Sequence, residues 1–450
     1  MTTVTSIKHG TAASTAEEQK MEVIPNKVFG SRVLTLNRPK ALNALNLNMV
    51  RVMTSHLRTW ENSELCKLVL LKGAGKGFCA GGDVKSVIEL AQKNDPNSVK
   101  FFEEEYQLNH LISTFKIPFV AILDGVTMGG GVGLSVHAPF RIATENTVFA
   151  MPETKIGFFP DVGGSFFLPR LDGELGTYLA LSGARLKGED VFHAGIATHY
   201  VPSSRLASLE ERLSQLDSSS YDVVNAAIED FTASVDPQHS FSLGGDSRRV
   251  IDRCFKFNDV EKIVDALKND PTDFAKKAHD TIMQMSPTSL KVTLAQIRKG
   301  SQLGVADCFK MEYRLAQQFL KTPDFHEGVT ALLITKTNSP KWNPAQLEEV
   351  KTTEVKRKFF DEKKPKELEL LHEENFKAYP HARYGLPKEE EVKRVVTGEH
   401  PDTGPVQLTR TEVVDFFLRE RKGKRGVKER VEEILERKTV VDKSAGCRWV

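Results

Sequence analysis

Along Ser31–Leu36 (Ser-Arg-Val-Leu-Thr-Leu) apolar and polar positions alternate, and the alternation stops at Asn37-Arg38-Pro39. A period of two that ends on a turn signal predicts a strand. Over 46–61 the period changes: Met49, Val50, Met53, Leu57 and Trp60 recur at helical spacing and predict an amphipathic helix. Leu68–Leu71 and Pro118–Leu123 are short continuous apolar runs, the pattern of strands buried on both faces. The first leads into Gly73-Ala74-Gly75-Lys76-Gly77 and the second into Asp124-Gly125. Strand, helix, strand, helix, strand, with glycines at the strand ends, predicts an α/β unit whose loops gather at one edge. Residues 176–340 read mostly as helices separated by Pro, Gly and Ser breaks.

The pattern shifts near Pro344. From 346 to the end roughly two residues in five are charged, with both signs mixed. Exposed helices are expected over Lys351–Lys364 and Glu412–Lys438, the second interrupted at Gly423 and Gly426. Between Arg419 and Arg430 the chain is strongly basic. The expected organisation is a flexible N-terminal segment over 1–29, a domain over 30–345 and a charged, mostly helical extension over 346–450.

Composition narrows the function classes. A chain of 450 residues exceeds what one compact core usually takes, in keeping with a large domain and an appendage. A formal net charge of +2 gives no reason to make nucleic acid or membrane the main partner. No apolar run reaches the ~20 residues of a membrane span. Cys66, Cys79, Cys254, Cys308 and Cys447 are scattered and have no zinc or redox spacing, so they read as free thiols. The first thirty residues hold Glu17 and Glu18 and no arginine, a poor match to an import presequence or secretory signal. They read as a disordered lead-in, or as a mature terminus left by cleavage. Cys447-Arg448-Trp449-Val450 is not a peroxisomal address.

Candidate chemistry concentrates in Ala150–Gly164. Glu153 and Asp161 stand there among mostly apolar, Gly and Pro residues. A carboxylate in such company is poorly hydrated, so it is paired, shifted in pKa or used. Upstream, Met128-Gly129-Gly130-Gly131-Val132-Gly133-Leu134 looks like glycines opening an apolar helix. Backbone N–H donors at a helix start, facing acid/base groups, suit chemistry at a carbonyl.

Leu36-Asn37-Arg38-Pro39-Lys40-Ala41-Leu42-Asn43-Ala44-Leu45, Phe78-Cys79-Ala80-Gly81-Gly82-Asp83-Val84 and the Gly129–Gly131 cluster resemble the crotonase (enoyl-CoA hydratase/isomerase) superfamily. A longer series resembles its 3-hydroxyisobutyryl-CoA hydrolase branch: Phe102–Tyr106, Met128–Val136, Phe149–Gly164, Met285–Leu290, Met311–Arg314 and Asp324–Gly328. The likeness runs from residue 30 to residue 345. It implies a crotonase-like α/β spiral of ββα repeats closed by helices. It also implies an acyl-CoA thioester whose carbonyl is polarised by the N–H groups of Gly82 and Gly130. Hydratases of the superfamily carry one glutamate just after the glycine cluster and a second in the Met-Pro-Glu-like segment. Here the first position is Gly133 and only Glu153 is present, which argues against water addition to a double bond. The hydrolase branch implies Asp161 as its partner. Glu153 then activates water or attacks the thioester directly, and Asp161 orients water or carries a proton to the thiolate. Direct and anhydride routes both stay open. The alternative reading makes Glu153 a helix-start cap and Asp161 a turn carboxylate.

Glu105 lies in the acidic run Glu103–Glu105, which by charge alone is a solvated face. The resemblance instead puts it at the acyl pocket, on the substrate hydroxyl, with Gly130, Glu153 and Asp161. His137, His326 and Cys79 read as structural. Lys40, Lys76 and Lys85 are candidates for the CoA phosphates. The implied activity is hydrolysis of 3-hydroxyisobutyryl-CoA, a step of valine breakdown, in mitochondria. No metal or redox cofactor is implied, CoA being part of the substrate. A second reading makes the chain a component of the mitochondrial ribosome's small subunit, active or not, with 346–450 gripping ribosomal RNA and proteins. Composition alone favours a solvated helical tail for that segment. A third reading, double-bond isomerase, needs one acid/base group, and Asp161 argues against it. The superfamily often forms trimers and hexamers, and an extension could cover that interface.

Overall fold

The computed structural model describes residues 21–233, 239–361, 366–404, 407–441 and 446–450. Strands β1 (Val23–Val28) and β2 (Ser31–Leu36) pair antiparallel, Val23 opposite Leu36. Six short strands then alternate between two sheets. They are β3 (Leu68–Gly73), β4 (Gly77–Cys79), β5 (Phe119–Leu123), β6 (Val126–Met128), β7 (Phe140–Ala143) and β8 (Val148–Ala150). With β9 (Leu186–Lys187) and β10 (His199–Tyr200) they make a six-stranded sheet, β1-β2-β3-β5-β7-β10, and a four-stranded sheet, β4-β6-β8-β9. Each turn of the chain lays one strand in each sheet before a helical segment follows. This is the expected spiral of ββα repeats.

The apolar runs follow from that layering. In β3, Val69 and Leu71 face the main core, while Leu68 and Leu70 face a second cluster beneath the helices Leu206–Ser214 and Tyr221–Glu229. Both faces are covered, so the strand is apolar throughout. Helix Leu47–Glu61 buries Met49, Val50, Met53, Leu57 and Trp60, as its periodicity predicts, and the Asn46 side chain caps its start by accepting from the Met49 N–H. All five cysteines are buried, and none is joined in a disulfide among the described residues. Among the described residues no helix is long and apolar enough to cross a membrane.

Two expectations about the ends need correction. Residues 1–20 lie outside the described residues, but the rest of the segment expected to be flexible forms the edge strand β1. It is anchored because the Asn46 and Asn48 side chains donate to the Glu22 carboxylate and Asn37 donates to the Met21 carbonyl. The extension is not a set of exposed helices. Helices Thr352–Phe359, Glu389–Val396, Arg410–Glu420 and Val427–Lys438 each bury one face, the last through Val427, Val431, Ile434 and Leu435. These residues join the same core cluster as the ββα spiral. A closing hairpin, β11 (Thr439–Val441) with β12 (Cys447–Trp449), completes the region.

Part of the basic stretch is spent inside the molecule, while Arg419, Lys422, Arg425 and Lys428 are exposed. Arg421 pairs with Glu391 at 2.5 Å and Lys424 with Glu229 at 2.5 Å, while Arg430 pairs with Asp172. Arg437, whose side chain is 1% exposed, reaches Glu433 at 2.6 Å and Glu389 at 3.0 Å.

Candidate active site

The spiral brings three carboxyl groups and two glycine loops together at the strand ends. Gly82 follows β4, and Gly130 opens the short helix Gly130–Gly133 after β6. A Cβ on Gly130 would lie 3.2 Å from the Gly82 nitrogen, so the two backbones are neighbours. As the first helical residue, Gly130 has an N–H with no partner in its own helix. Beside Gly82 the bonds are made by its neighbours: the Leu45 N–H donates to Gly81 O and the Asp83 N–H to Leu45 O, both at 2.8 Å. Gly81 and Gly129 hold φ of +114° and +45°, in the half of conformational space that glycine tolerates.

Glu105 comes from helix Asn97–Ser113, Glu153 from the one-turn helix after β8, and Asp161 from the loop beyond it. They are 2%, 5% and 5% exposed, so Glu105 is no part of a solvated face. Its neighbours are: Glu103 pairs with Lys366 and Glu104 with Arg51. The same hypothetical Cβ on Gly130 would lie 2.5 Å from Glu105 Oε1, and one on Gly129 would lie 2.9 Å from Glu153 Oε1. Glu105 Oε1 and Glu153 Oε2 have no hydrogen-bond partner among the described residues. Glu153 is therefore not spent as a cap.

The three groups are not electrostatically equal. Burial raises all of them, among rings that include Phe102, Phe158, Phe159, Phe319 and Phe325. Glu153 is pushed well up by burial and then by the Asp161 charge. Glu105 rises by burial and then by the charges of Asp161 and Glu153. Asp161 is pushed up only to about 7, because the Tyr106 hydroxyl donates to Oδ2 at 2.7 Å and its own backbone N–H helps. Tyr106 thus favours the charged form of Asp161 through a side-chain donor that neither glutamate has.

A model of the enoyl-CoA hydratase/isomerase family matches residues 31–360. The chain belongs to that family. A crystal structure described as a carnitinyl-CoA dehydratase from Mycobacterium thermoresistibile is 38% identical, with a TM-score of 0.71, over 78% of this chain and 99% of that one. The 3-hydroxyisobutyryl-CoA hydrolase, mitochondrial, of Danio rerio is 50% identical over 72% of this chain and 86% of its own length. The small ribosomal subunit protein mS47 of Neurospora crassa is 45% identical over 95% of this chain and 87% of its own.

Within this enoyl-CoA hydratase/isomerase fold, position 133 has no room for a glutamate. A Cβ on Gly133 would sit 2.5 Å from Val162 Cβ and 2.9 Å from Asn109 Oδ1. Val162 has φ of +51°, a strained value for a β-branched residue. His137 Nε2 bonds its carbonyl at 2.8 Å, and Glu312 accepts from the next N–H, Gly163, at 2.7 Å and from Ser165 N–H at 2.8 Å. Gln296 donates to Pro160 O at 2.6 Å. The loop carrying Asp161 is clamped on both sides.

Tyr106 and Glu312 escaped the sequence reading, although both lie in quoted motifs. Glu312 had a legible signal: it stands on the apolar stripe Cys308, Met311, Leu315, Ala316 and Phe319. Tyr106 had none beyond adjacency to Glu105. His137 and His326 each bond a backbone carbonyl, and burial pushes the Cys79 thiol up to about 12, as befits structural residues. Lys40, Lys76 and Lys85 are exposed, on segments next to the Gly81–Gly82 loop. Among the described residues one cluster, Glu189, His193 and His239, is spaced to hold a metal ion, and it shares no residue with this site.

Proposed function

We propose that this chain hydrolyses the thioester of 3-hydroxyisobutyryl-CoA to 3-hydroxyisobutyrate and CoA. The observation that carries the reading is the buried Glu153–Asp161 pair beside Gly82 and Gly130, with position 133 closed to a second glutamate. The Gly82 and Gly130 N–H groups accept the thioester oxygen, and each such donor contributes about 3–4 kcal/mol as charge grows there. On the anhydride route the Glu153 carboxylate displaces the thiolate and water then hydrolyses the anhydride; on the direct route water attacks the thioester carbon. A carboxylate of the pair takes its proton, the C–S bond breaks, and the thiolate leaves with a proton returned by the pair. Glu153, against the glycine loop, activates the water or attacks the thioester, and Asp161 orients water or carries the proton to the thiolate. Glu105 Oε1, unpartnered beside Gly130, satisfies the substrate hydroxyl. Lys40, Lys76 and Lys85 meet the phosphates of CoA. The step uses water and carboxyl groups and calls for no metal or redox group. The hydrolase relatives are named mitochondrial, and so is the compartment of this chain.

The test is CoA release from 3-hydroxyisobutyryl-CoA by the purified chain, with Glu153→Gln beside it. The substitution is expected to lower turnover about 10²–10⁴-fold. Unchanged turnover in that variant removes Glu153 from the mechanism.

A second reading has its own support. A match over 95% of the chain takes in most of 346–450, whereas the Danio rerio hydrolase matches 72%. The extension is thus the part held in common with a small ribosomal subunit protein. On this reading the chain is also a component of the mitochondrial small subunit, touching its RNA or proteins through 346–450. Co-sedimentation of the tagged chain with small subunits tests it, and recovery only at the top of the gradient ends it.

A further inference from the structure

Where the extension closes over the spiral it leaves an open-mouthed hollow of about 780 Å3, the solvent space at its mouth included. One wall comes from the spiral, through Val136–Arg141, Phe166–Asp172 and Ala194–Ile196. The other comes from Tyr379–Lys388 and Arg430. Glu105, Glu153 and Asp161 do not line it, so it is not the acyl pocket.

Its charge is unbalanced. Arg430 and Asp172 neutralise each other. Arg141, Arg170 and Lys388 have no carboxylate at ion-pair distance among the described residues; their bonds go to backbone carbonyls. Arg141 donates to Ile196 O at 2.6 Å and Ala138 O at 2.7 Å. Arg170 donates to Lys377 O at 2.9 Å, Phe166 O at 2.7 Å and Leu303 O at 2.8 Å, among others. Lys388 donates once, to Arg170 O at 3.2 Å, which leaves two of its three N–H groups open. Carbonyls satisfy donors without cancelling charge. Burial pulls the Lys388 pKa down, against the pull of the Asp172 and Glu391 charges and with the help of Arg141 and Arg170. The remaining lining is apolar, with Phe167, Leu171, Ile196 and Leu386 prominent. Cations at one part of an apolar hollow fit an amphipathic anion, its head on Lys388 and its body on those side chains.

We infer that this cavity, built jointly by the spiral and the extension, is a second ligand site that takes an aliphatic carboxylate. Sodium octanoate is the probe, titrated calorimetrically into the full chain. Saturable one-site binding is expected. 1-Octanol, which lacks the charge, and inorganic phosphate, which lacks the apolar body, should each bind at least about tenfold more weakly. Lys388→Met should weaken octanoate by a similar factor. Ala382→Trp, which fills the hollow without touching a charge, should abolish binding, and thermal melts check that both variants fold. No saturable binding overturns the inference, as does phosphate binding as tightly as octanoate. Octanoate binding that survives Ala382→Trp but is displaced by acyl-CoA places the probe in the acyl site and overturns it too. None of these readings depends on turnover, so failure here leaves the hydrolase proposal untouched.

Discussion

Asp161 differs from Glu105 and Glu153 by one hydroxyl. The Tyr106 donor favours its charged form and holds its pKa below where burial alone would put it. Removing the hydroxyl raises the Asp161 pKa above about 7. Tyr106→Phe is therefore expected to move the acid limb of the kcat/KM profile to higher pH, with more activity lost at pH 6 than at pH 9. A pH–rate profile of the variant checks this, and an unmoved limb makes Tyr106 merely a packing residue. At this scale the sequence was partly legible. Glu153 and Asp161 stood out because charge among apolar neighbours is conspicuous. Tyr106 did not, since a tyrosine on a helix resembles any other core aromatic until its partner, 55 positions away, is known.

The loop carrying Asp161 hangs from helix Val305–Phe319 by a single side chain. Glu312 takes the Gly163 and Ser165 N–H groups and the Ser165 hydroxyl, yet burial pushes its pKa up to about 8. Because the folded value lies above the ordinary carboxylate value, the folded state holds that proton more tightly. Its contribution to stability is full below about pH 4.5 and is lost as pH rises through 8. Glu312→Gln cannot titrate. Its melting temperature should lie below that of the parent at pH 5, and the gap should narrow or reverse at pH 9. Parallel melts at the two pH values decide it; a constant gap means Glu312 is ionised throughout. The longer strands, β2, β3 and β5, were readable because four to six residues suffice to show a period or an apolar run. The second sheet was not, since β4, β6 and β8 have three residues each, too few to carry a pattern.

On the scale of the molecule, the spiral and the extension share one core. The charge content of 346–450 hid this: Val427, Val431, Ile434 and Leu435 form a helical stripe, but charged residues surround it. Arg430 and Arg437 hold buried ion pairs with Asp172 and Glu389, and removing one side of such a pair costs about 3–5 kcal/mol. A chain ending at residue 345 takes Arg430 from Asp172 and Lys424 from Glu229, and bares the apolar face beneath Leu386, Val392 and Val431. It should be recovered as aggregate, or as a species without a cooperative melt. A soluble fragment melting like the full chain would show that the extension is an independent attachment.

That union also fixes an order of events in the life of the chain. Tyr379 bonds His137 across 242 positions, Lys424 reaches Glu229 across 195, and Arg430 reaches Asp172 across 258. Contacts of such sequence separation form late, after loop closures that are slow to complete. The catalytic half emerges first from synthesis or translocation, but its flank stays uncovered until the last hundred or so residues arrive. Through that interval the nascent protein is exposed to aggregation and in need of a holdase. Completion of the core is thereby tied to the arrival of Tyr379, Lys424 and Arg430.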